Sequence, residues 1–303
     1  MKKALVFWVE EYFYNPKILQ KFLSYFLFPL SWLYCFIMYL RFKSITAEDF
    51  GIKIISVGNL TVGGSGKTPL VSALAEHYEK PAIILRGYGR ESKGMIIVKD
   101  KNGILCDVKR SGDEAMVYAK KLPNAVVIVS EDRKIAINKA KELGCEIVFL
   151  DDAYSKHNIK KHDILINVKT KNEFCLPSGP YREKLWQGKG ALVVEDGVDF
   201  KRVVRVKNPR KKMSFVTAIA RPQRVDKYLP DVVSKNYFED HHSFTKEELE
   251  TILRKDKSDS LLVTLKDYVK IEDFGLPLSL LDLDIDLINI SLKNYRKVEA
   301  HIK

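Results

Sequence analysis

Residues 56–69 read Ser56-Val57-Gly58-Asn59-Leu60-Thr61-Val62-Gly63-Gly64-Ser65-Gly66-Lys67-Thr68-Pro69. This resembles the phosphate-loop pattern G-x-x-x-x-G-K-S/T, with Thr61 where the first glycine would stand. Gly63, Gly64 and Gly66 let successive backbone N–H groups turn toward phosphate oxygens, and the helix opening at Lys67 adds its positive end. Thr61, Val62, Gly63, Gly64, Ser65, Gly66, Lys67 and Thr68 are therefore the expected nucleotide cradle. Lys67 is expected on the β- and γ-phosphates and the Thr68 hydroxyl on Mg²⁺. Partitioning ATPases carry a second lysine early in this loop, where this chain has Val62. A guanine clamp is missing: Asn138-Lys139-Ala140-Lys141 lacks the aspartate, and Thr264-Leu265-Lys266-Asp267 has the wrong spacing. ATP is the expected nucleotide.

Other side chains could complete a phosphoryl-transfer site. The apolar run Val148-Phe149-Leu150 ends in Asp151-Asp152, and a carboxylate at such a strand end is placed to hold Mg²⁺, so Asp152 or Asp151 is expected there. Asp113 and Glu114 open a helical stretch after Ser111-Gly112. They serve either as ordinary first-turn acids or as a base and a metal ligand, because a kinase must take a proton from its acceptor hydroxyl. Asp240-His241-His242 is either a solvated loop pair or offers a histidine to orient or share a proton with that base. In the turn-rich segment Leu176–Glu183, Arg182 is suited to grip a phosphate or to sit in a surface ion pair.

These residues need a scaffold, and the chain's periodicity supplies one. Short apolar runs at Ile52–Val57, Ala82–Leu85, Ala125–Val129 and Ile147–Leu150 alternate with helical stretches at Pro69–Glu79, Asp113–Lys121 and Arg133–Leu143. That alternation predicts an α/β fold with a mostly parallel sheet covered on both faces. Lys201–Arg224 holds nine Lys or Arg and no acid, with Val203–Val206 and Phe215–Ile219 flanking Asn208-Pro209, and reads as a two-stranded ribbon or a linker. Smaller β/α units follow: a helix at Lys246–Arg254, a strand at Leu261–Leu265 and an apolar run ending at Ile290. The expected division is a membrane-associating helical segment over 1–45, a phosphate-loop core over 46–200 and a smaller α/β domain over 201–303.

The 303 residues are 46% hydrophobic and 30% charged, the composition of a globular protein. The excess of 51 Lys and Arg over 39 Asp and Glu leaves +12, which favours an anionic partner: nucleic acid, a phosphorylated ligand or an anionic membrane. The aromatics narrow that choice toward lipid. Fourteen of the 32 Phe, Trp and Tyr fall in the first 43 residues, beside six basic and two acidic residues. Phe22–Leu40 runs nineteen residues without a charge, reaching about 28 Å as a helix, yet it holds Pro29 and keeps Tyr25, Trp32 and Tyr34 away from its ends. An interfacial helix pair, kinked or broken at Pro29, is favoured over a true span or a core helix. Glu10-Glu11 interrupts the run that a signal peptide would need. The scattered Cys35, Cys106, Cys145 and Cys175 are expected as buried free thiols rather than a zinc site or a disulfide framework.

Taken together, the motifs resemble the tetraacyldisaccharide 4'-kinase family of lipid A biosynthesis. The family's G-N-x-x-x-G-G-x-G-K-T-P is similar to Gly58–Pro69, its R-G-Y to Arg86-Gly87-Tyr88 and its G-D-E to Gly112-Asp113-Glu114. Its D-D-G-F-Q-H resembles Asp151–Lys156, its P-x-G-x-x-R-E resembles Pro177–Glu183 and its D-H resembles Asp240-His241. Ala153, Ser155 and Lys156 depart from that pattern, as does Leu265, which stands where the family has an acid. The resemblance implies a RecA-like core joined by a β-ribbon to a smaller α/β domain. It further implies phosphorylation of a tetraacyl disaccharide 1-phosphate at its 4'-hydroxyl, giving lipid IVA at the cytoplasmic face of the inner membrane. Asp113 would then be the base, His241 its assistant and Lys67 a phosphate ligand. Glu114 and Asp152 would belong to the Mg²⁺ shell, and Tyr88 would line the site. The implied partners are an acylated disaccharide phosphate lipid and an anionic membrane surface met peripherally or monotopically, not nucleic acid. The rival from another class is a membrane-tethered switch that hydrolyses ATP to control a protein partner.

Overall fold

Pro16 cannot continue a helix, so the amino-terminal apolar stretch folds as two helices, α1 (Lys2–Tyr14) and α2 (Ile18–Ser44). The computed structural model describes residues 2–290, so 291–303 of the expected C-terminal domain lie outside the described residues. The expected pair broken at Pro29 does not form: Phe22–Leu40 lies in the single helix α2 with Pro29 inside it, and the break falls at Asn15-Pro16-Lys17. Pro29 removes one intrahelical hydrogen bond. Ser24 and Ser31 on either side are buried against the protein, and those contacts hold the helix through the gap.

After α2 come β1 (Lys53–Gly58), α3 (Lys67–Ala75), β2 (Pro81–Leu85), β3 (Ile96–Asp100) and β4 (Gly103–Ile104). Next are α4 (Val108–Ser111), α5 (Asp113–Lys121), β5 (Val126–Val129), α6 (Arg133–Glu142), β6 (Ile147–Asp151), β7 (His162–Ile166) and β8 (Leu192–Val194). The chain continues through β9 (Phe200–Lys207), β10 (Met213–Thr217), β11 (Ser234–Tyr237), α7 (Lys246–Asp256), β12 (Ser260–Thr264), α8 (Leu265–Ile271) and β13 (Leu278–Leu287).

The chain divides into two compact units, each discontinuous in sequence. The first takes the chain up to Lys67, Asp152–Phe200 and the stretch from Ile288; the second takes Thr68–Asp151 and Lys201–Leu287. In the first unit β1, β7 and β8 run parallel, with Val57 opposite Ile164 and Leu165 opposite Val193. In the second, β2 lies parallel between β5 and β6, and β3 and β4 extend the sheet antiparallel. Strands β2, β5 and β6 are buried at every position, as continuous apolar runs in a covered parallel sheet must be. The second unit also holds the five-strand order β11-β10-β12-β13-β9. Its core gathers Val216, Leu249, Leu261, Val263 and Ile271 on one face of the sheet and Phe215, Leu262 and Leu281 on the other. Strand β9 pairs with β13 and not with β10, so the two apolar runs flanking Asn208-Pro209 are not each other's partners.

The cysteines also differ from expectation. Cys35 of α2 and Cys175 are joined as a disulfide across 140 residues of sequence, while Cys145 is a buried free thiol and Cys106 a half-buried one. Sequence spacing could not show this, because the contact exists only once α2 lies along the 172–182 loop.

Candidate active site

In the first unit the phosphate loop leaves β1 at Gly58 and ends where α3 begins. Gly63 and Gly66 take φ of 84° and 76°, a region that side chains rarely adopt, which explains glycine at both. Asn59 fixes the turn from inside: its buried amide donates to the Thr61 carbonyl at 2.8 Å and to the Thr61 hydroxyl at 3.0 Å. The Asn59 carbonyl oxygen accepts from Lys67 Nζ at 3.1 Å and from Arg182 at 3.4 Å. Asp152, just beyond β6 in left-handed backbone, forms ion pairs with Arg182 and, at 3.6 Å, with Lys67. Burial would push the Asp152 carboxyl up, but Lys67 and Arg182 outweigh it and hold the group below the usual carboxylate range. Two cations and a carboxylate therefore converge beside the glycine turn, an arrangement able to receive phosphate oxygens.

The loop carrying Arg182 is tied to the phosphate loop by backbone pairing. Val62 N–H donates to the Pro180 carbonyl at 2.9 Å, and Arg182 N–H donates to the Leu60 carbonyl at 2.9 Å. A Cβ at Gly179 would press into Asn172 Oδ1 and the Phe174 carbonyl, so the loop closes only with glycine there.

In the second unit a different constellation forms. Gly112, at φ 83°, delivers the chain to α5, and a Cβ there would meet the Tyr88 carbonyl at 3.1 Å. Asp113 follows, 6% exposed, with its carboxylate accepting the Glu114 N–H at 2.9 Å. His241 Nδ1 lies 3.0 Å from Asp113 Oδ2 across 128 residues of sequence. Lys270 and Lys266 approach the same oxygen at 3.5 and 3.8 Å. Lys266 also reaches Glu114 at 3.5 Å, Asp240 at 3.7 Å and His241 Nε2 at 3.4 Å. Burial raises the Asp113 carboxyl, yet the His241 hydrogen bond and the charges of Lys266, His241 and Lys270 bring it down to about 2. The exposed Tyr88 ring lies 5.2 Å from the His241 ring.

The structure separates residues the sequence left as alternatives. Asp151 is buried and accepts from the Tyr118 hydroxyl at 3.0 Å, while Asp152 faces Lys67 and Arg182. Among the two histidines, His241 meets Asp113, whereas His242 stacks on Phe238 and contacts Glu248 at 3.3 Å. Thr68 stands at the start of α3, and Glu114 pairs with Lys266 in the second unit. Sequence reasoning missed Asn59, Lys266 and Lys270. Asn59 was legible as the polar residue following Gly58 in the loop. Lys266 stands within Thr264–Asp267, whose spacing does not suit a guanine clamp; its place follows from Asp267, which is fully buried and bonded to Thr217, Thr264 and the Ala218 N–H, so that it fixes the start of α8.

Comparison with known proteins decides the family. The family model described as Tetraacyldisaccharide-1-P 4'-kinase matches residues 23–302. The chain belongs to the tetraacyldisaccharide 4'-kinase family. A tetraacyldisaccharide 4'-kinase of Aliarcobacter butzleri is 47% identical over 297 residues, covering 95% of each chain. That of Campylobacter jejuni is 45% identical over 306 residues, covering 100% of this chain and 98% of its own. That of Helicobacter pylori is 46% identical over 283 residues, covering 92% and 90%. The crystal structure of LpxK from Aquifex aeolicus in complex with ATP is 25% identical, with a TM-score of 0.70 over 92% of this chain and 99% of that one. The α/β phosphate-loop architecture of this chain is thus that of a tetraacyldisaccharide 4'-kinase.

Proposed function

We propose that this kinase transfers the γ-phosphoryl group of ATP to the 4'-hydroxyl of an acylated glucosamine disaccharide 1-phosphate in lipid A biosynthesis, working at the cytoplasmic face of the inner membrane. Family membership supplies the substrate class. The observation that carries the mechanism is the meeting of Asp113 with His241 beside Lys266, which sets a carboxylate where it can take the proton of an acceptor hydroxyl. In this reading residues 1–45 attach the membrane, 46–200 hold the nucleotide and Asp113, and 201–303 bring His241 and Lys266.

The acceptor oxygen bonds to the γ-phosphorus, the bond to the ADP oxygen breaks, and the hydroxyl proton passes to Asp113. A carboxylate held at about 2 is a weak base while His241 and both lysines face it. Drawing Lys266 toward incoming phosphate would let the Asp113 pKa climb toward the ordinary carboxylate value as the hydroxyl arrives. Lys67 and Arg182, now paired with Asp152, are the cations to receive the transferred group's charge. Asp152 in the first unit, and Thr68 and Glu114 in the second, each offer an oxygen of the kind that Mg²⁺, a hard cation, takes together with substrate phosphates. Mg²⁺ would neutralise charge on the β- and γ-phosphates.

The test uses purified full-length protein, Mg²⁺, γ-labelled ATP and the disaccharide monophosphate. Label is expected on the lipid as a 4'-phosphate. Release of free phosphate with the lipid unmodified would instead support a membrane-tethered ATPase switch.

A further inference from the structure

Helix α2 is reversed relative to a soluble amphipathic helix. Its buried residues are Gln20, Ser24 and Ser31, while Leu19 and Phe26 are 82% and 80% exposed. The inward hydroxyls all meet backbone of the loop that carries Arg182. Ser24 Oγ donates to the Ser178 carbonyl at 2.7 Å, and Ser31 Oγ donates to the Cys175 carbonyl at 2.9 Å while accepting the Ser178 N–H at 2.8 Å. The Tyr34 hydroxyl donates to the carbonyl of Arg182 itself at 3.1 Å. From α1, the Tyr14 hydroxyl donates directly to the carbonyl of Val62 inside the phosphate loop. A further link runs through Glu183, which accepts from Trp186 Nε1 at 3.1 Å, the Trp186 ring lying 5.7 Å from that of Tyr39 in α2.

A helix pair that only held the protein on a membrane would need an apolar outer face and any packed inner face. Here the inner face instead spends its hydroxyls on main-chain oxygens of the two loops that hold the phosphate-binding cations. Those two loops are in turn paired to each other at Val62–Pro180 and Leu60–Arg182. We infer that α1 and α2 position the phosphate loop for the nucleotide, with Tyr14 and Tyr34 as positioning residues acting through Val62 and Arg182. Preorganised backbone donors bind phosphate better than donors that must be ordered on binding, so loosening these ties costs nucleotide affinity first.

Tyr14→Phe and Tyr34→Phe in the full chain test this, each removing one hydroxyl and keeping the ring. The expected result is ATP·Mg²⁺ binding, measured by titration calorimetry in detergent, weakened about threefold to tenfold per variant. KM for ATP should rise in parallel, while KM for the lipid and flotation on anionic vesicles stay at the wild-type level. Unchanged ATP affinity in the folded variants would overturn the inference, as would loss of flotation with affinity intact, the pattern of a plain anchor. Should Tyr14→Phe fail to fold, Tyr34→Phe carries the same expectation, and Ser31→Ala compared with Ser31→Thr adds a loss-and-rescue pair. The inference rests on ATP being the nucleotide. Wild-type protein that does not bind ATP·Mg²⁺ would sink that reading, whereas wild-type binding matched by both variants would sink only this one.

Discussion

Asp113 experiences opposing influences whose balance sets its chemistry. Burial alone would favour the neutral acid, but the hydrogen bond to His241 and the nearby lysines bring the carboxyl to about 2. It is therefore ionised throughout the working range, and kcat/KM measured against pH should show no acid limb from Asp113 above about pH 4. Asp113→Asn keeps the shape and removes the base, so turnover should fall on the order of 10²- to 10⁴-fold with ATP binding retained; near-normal turnover would remove Asp113 from that role. Lys266→Met should raise the Asp113 pKa and introduce an acid limb that the wild type lacks, and identical profiles would show that Lys266 does not act on the carboxylate. For Asp152→Asn, turnover should drop about 10²-fold or more and the Mg²⁺ concentration for half-maximal rate should rise. An unchanged Mg²⁺ requirement would exclude Asp152 from the metal shell.

Among the elements, α2 and the 172–182 loop depend on each other. The exposed positions Leu19, Phe22 and Phe26 share one helix face by their spacing of three and four residues, opposite Gln20, Ser24 and Ser31. Within the described residues α2 is the helix long and apolar enough to cross a membrane, yet that inward face is polar and bonded to protein. Changing Leu19, Phe22 and Phe26 together to Ser should abolish flotation on vesicles and leave ATP affinity intact. Retained flotation would show that this face does not meet lipid. The loop itself tolerates little: Gly179→Ala forces Asn172 and the Phe174 carbonyl aside and should displace Arg182. The expected outcome is a lower melting temperature together with a raised KM for ATP.

For the whole chain, the same carboxylate links activity to stability. A folded-state pKa near 2, below the ordinary value of about 3.9, means that folding is favoured when Asp113 is ionised. That contribution, about 2 kcal/mol, is fully present above about pH 4 and is lost as pH falls through 2. The stability gap between the wild type and Asp113→Asn should accordingly narrow as unfolding is followed from pH 7 toward pH 2; a constant gap would mean that the carboxylate's charge is not what stabilises the fold. The charge of +12 acts over a longer range and favours anionic partners in a manner that salt weakens.

The sequence by itself determined what short stretches of chain can decide. Glycines at Gly63 and Gly66 followed by Lys67-Thr68 specify a phosphate turn, because the backbone conformation and the helix end need only neighbours in sequence. The helix at Asp113–Lys121 matches its expected limits for the same reason, its acids and lysines lying at the ends that suit the helix dipole. The order of motifs also sufficed to indicate the family. Tertiary structure decided which distant groups meet within each unit: His241 and not His242 with Asp113, Asp152 and not Asp151 with Lys67, and Lys266 among three carboxylates. It also paired β9 with β13 and turned Ser24 and Ser31 of α2 inward. Each of these depends on contacts separated by tens to more than a hundred residues, where periodicity carries no signal. The energy of burying a polar group is settled only by the partner that the folded chain brings to it.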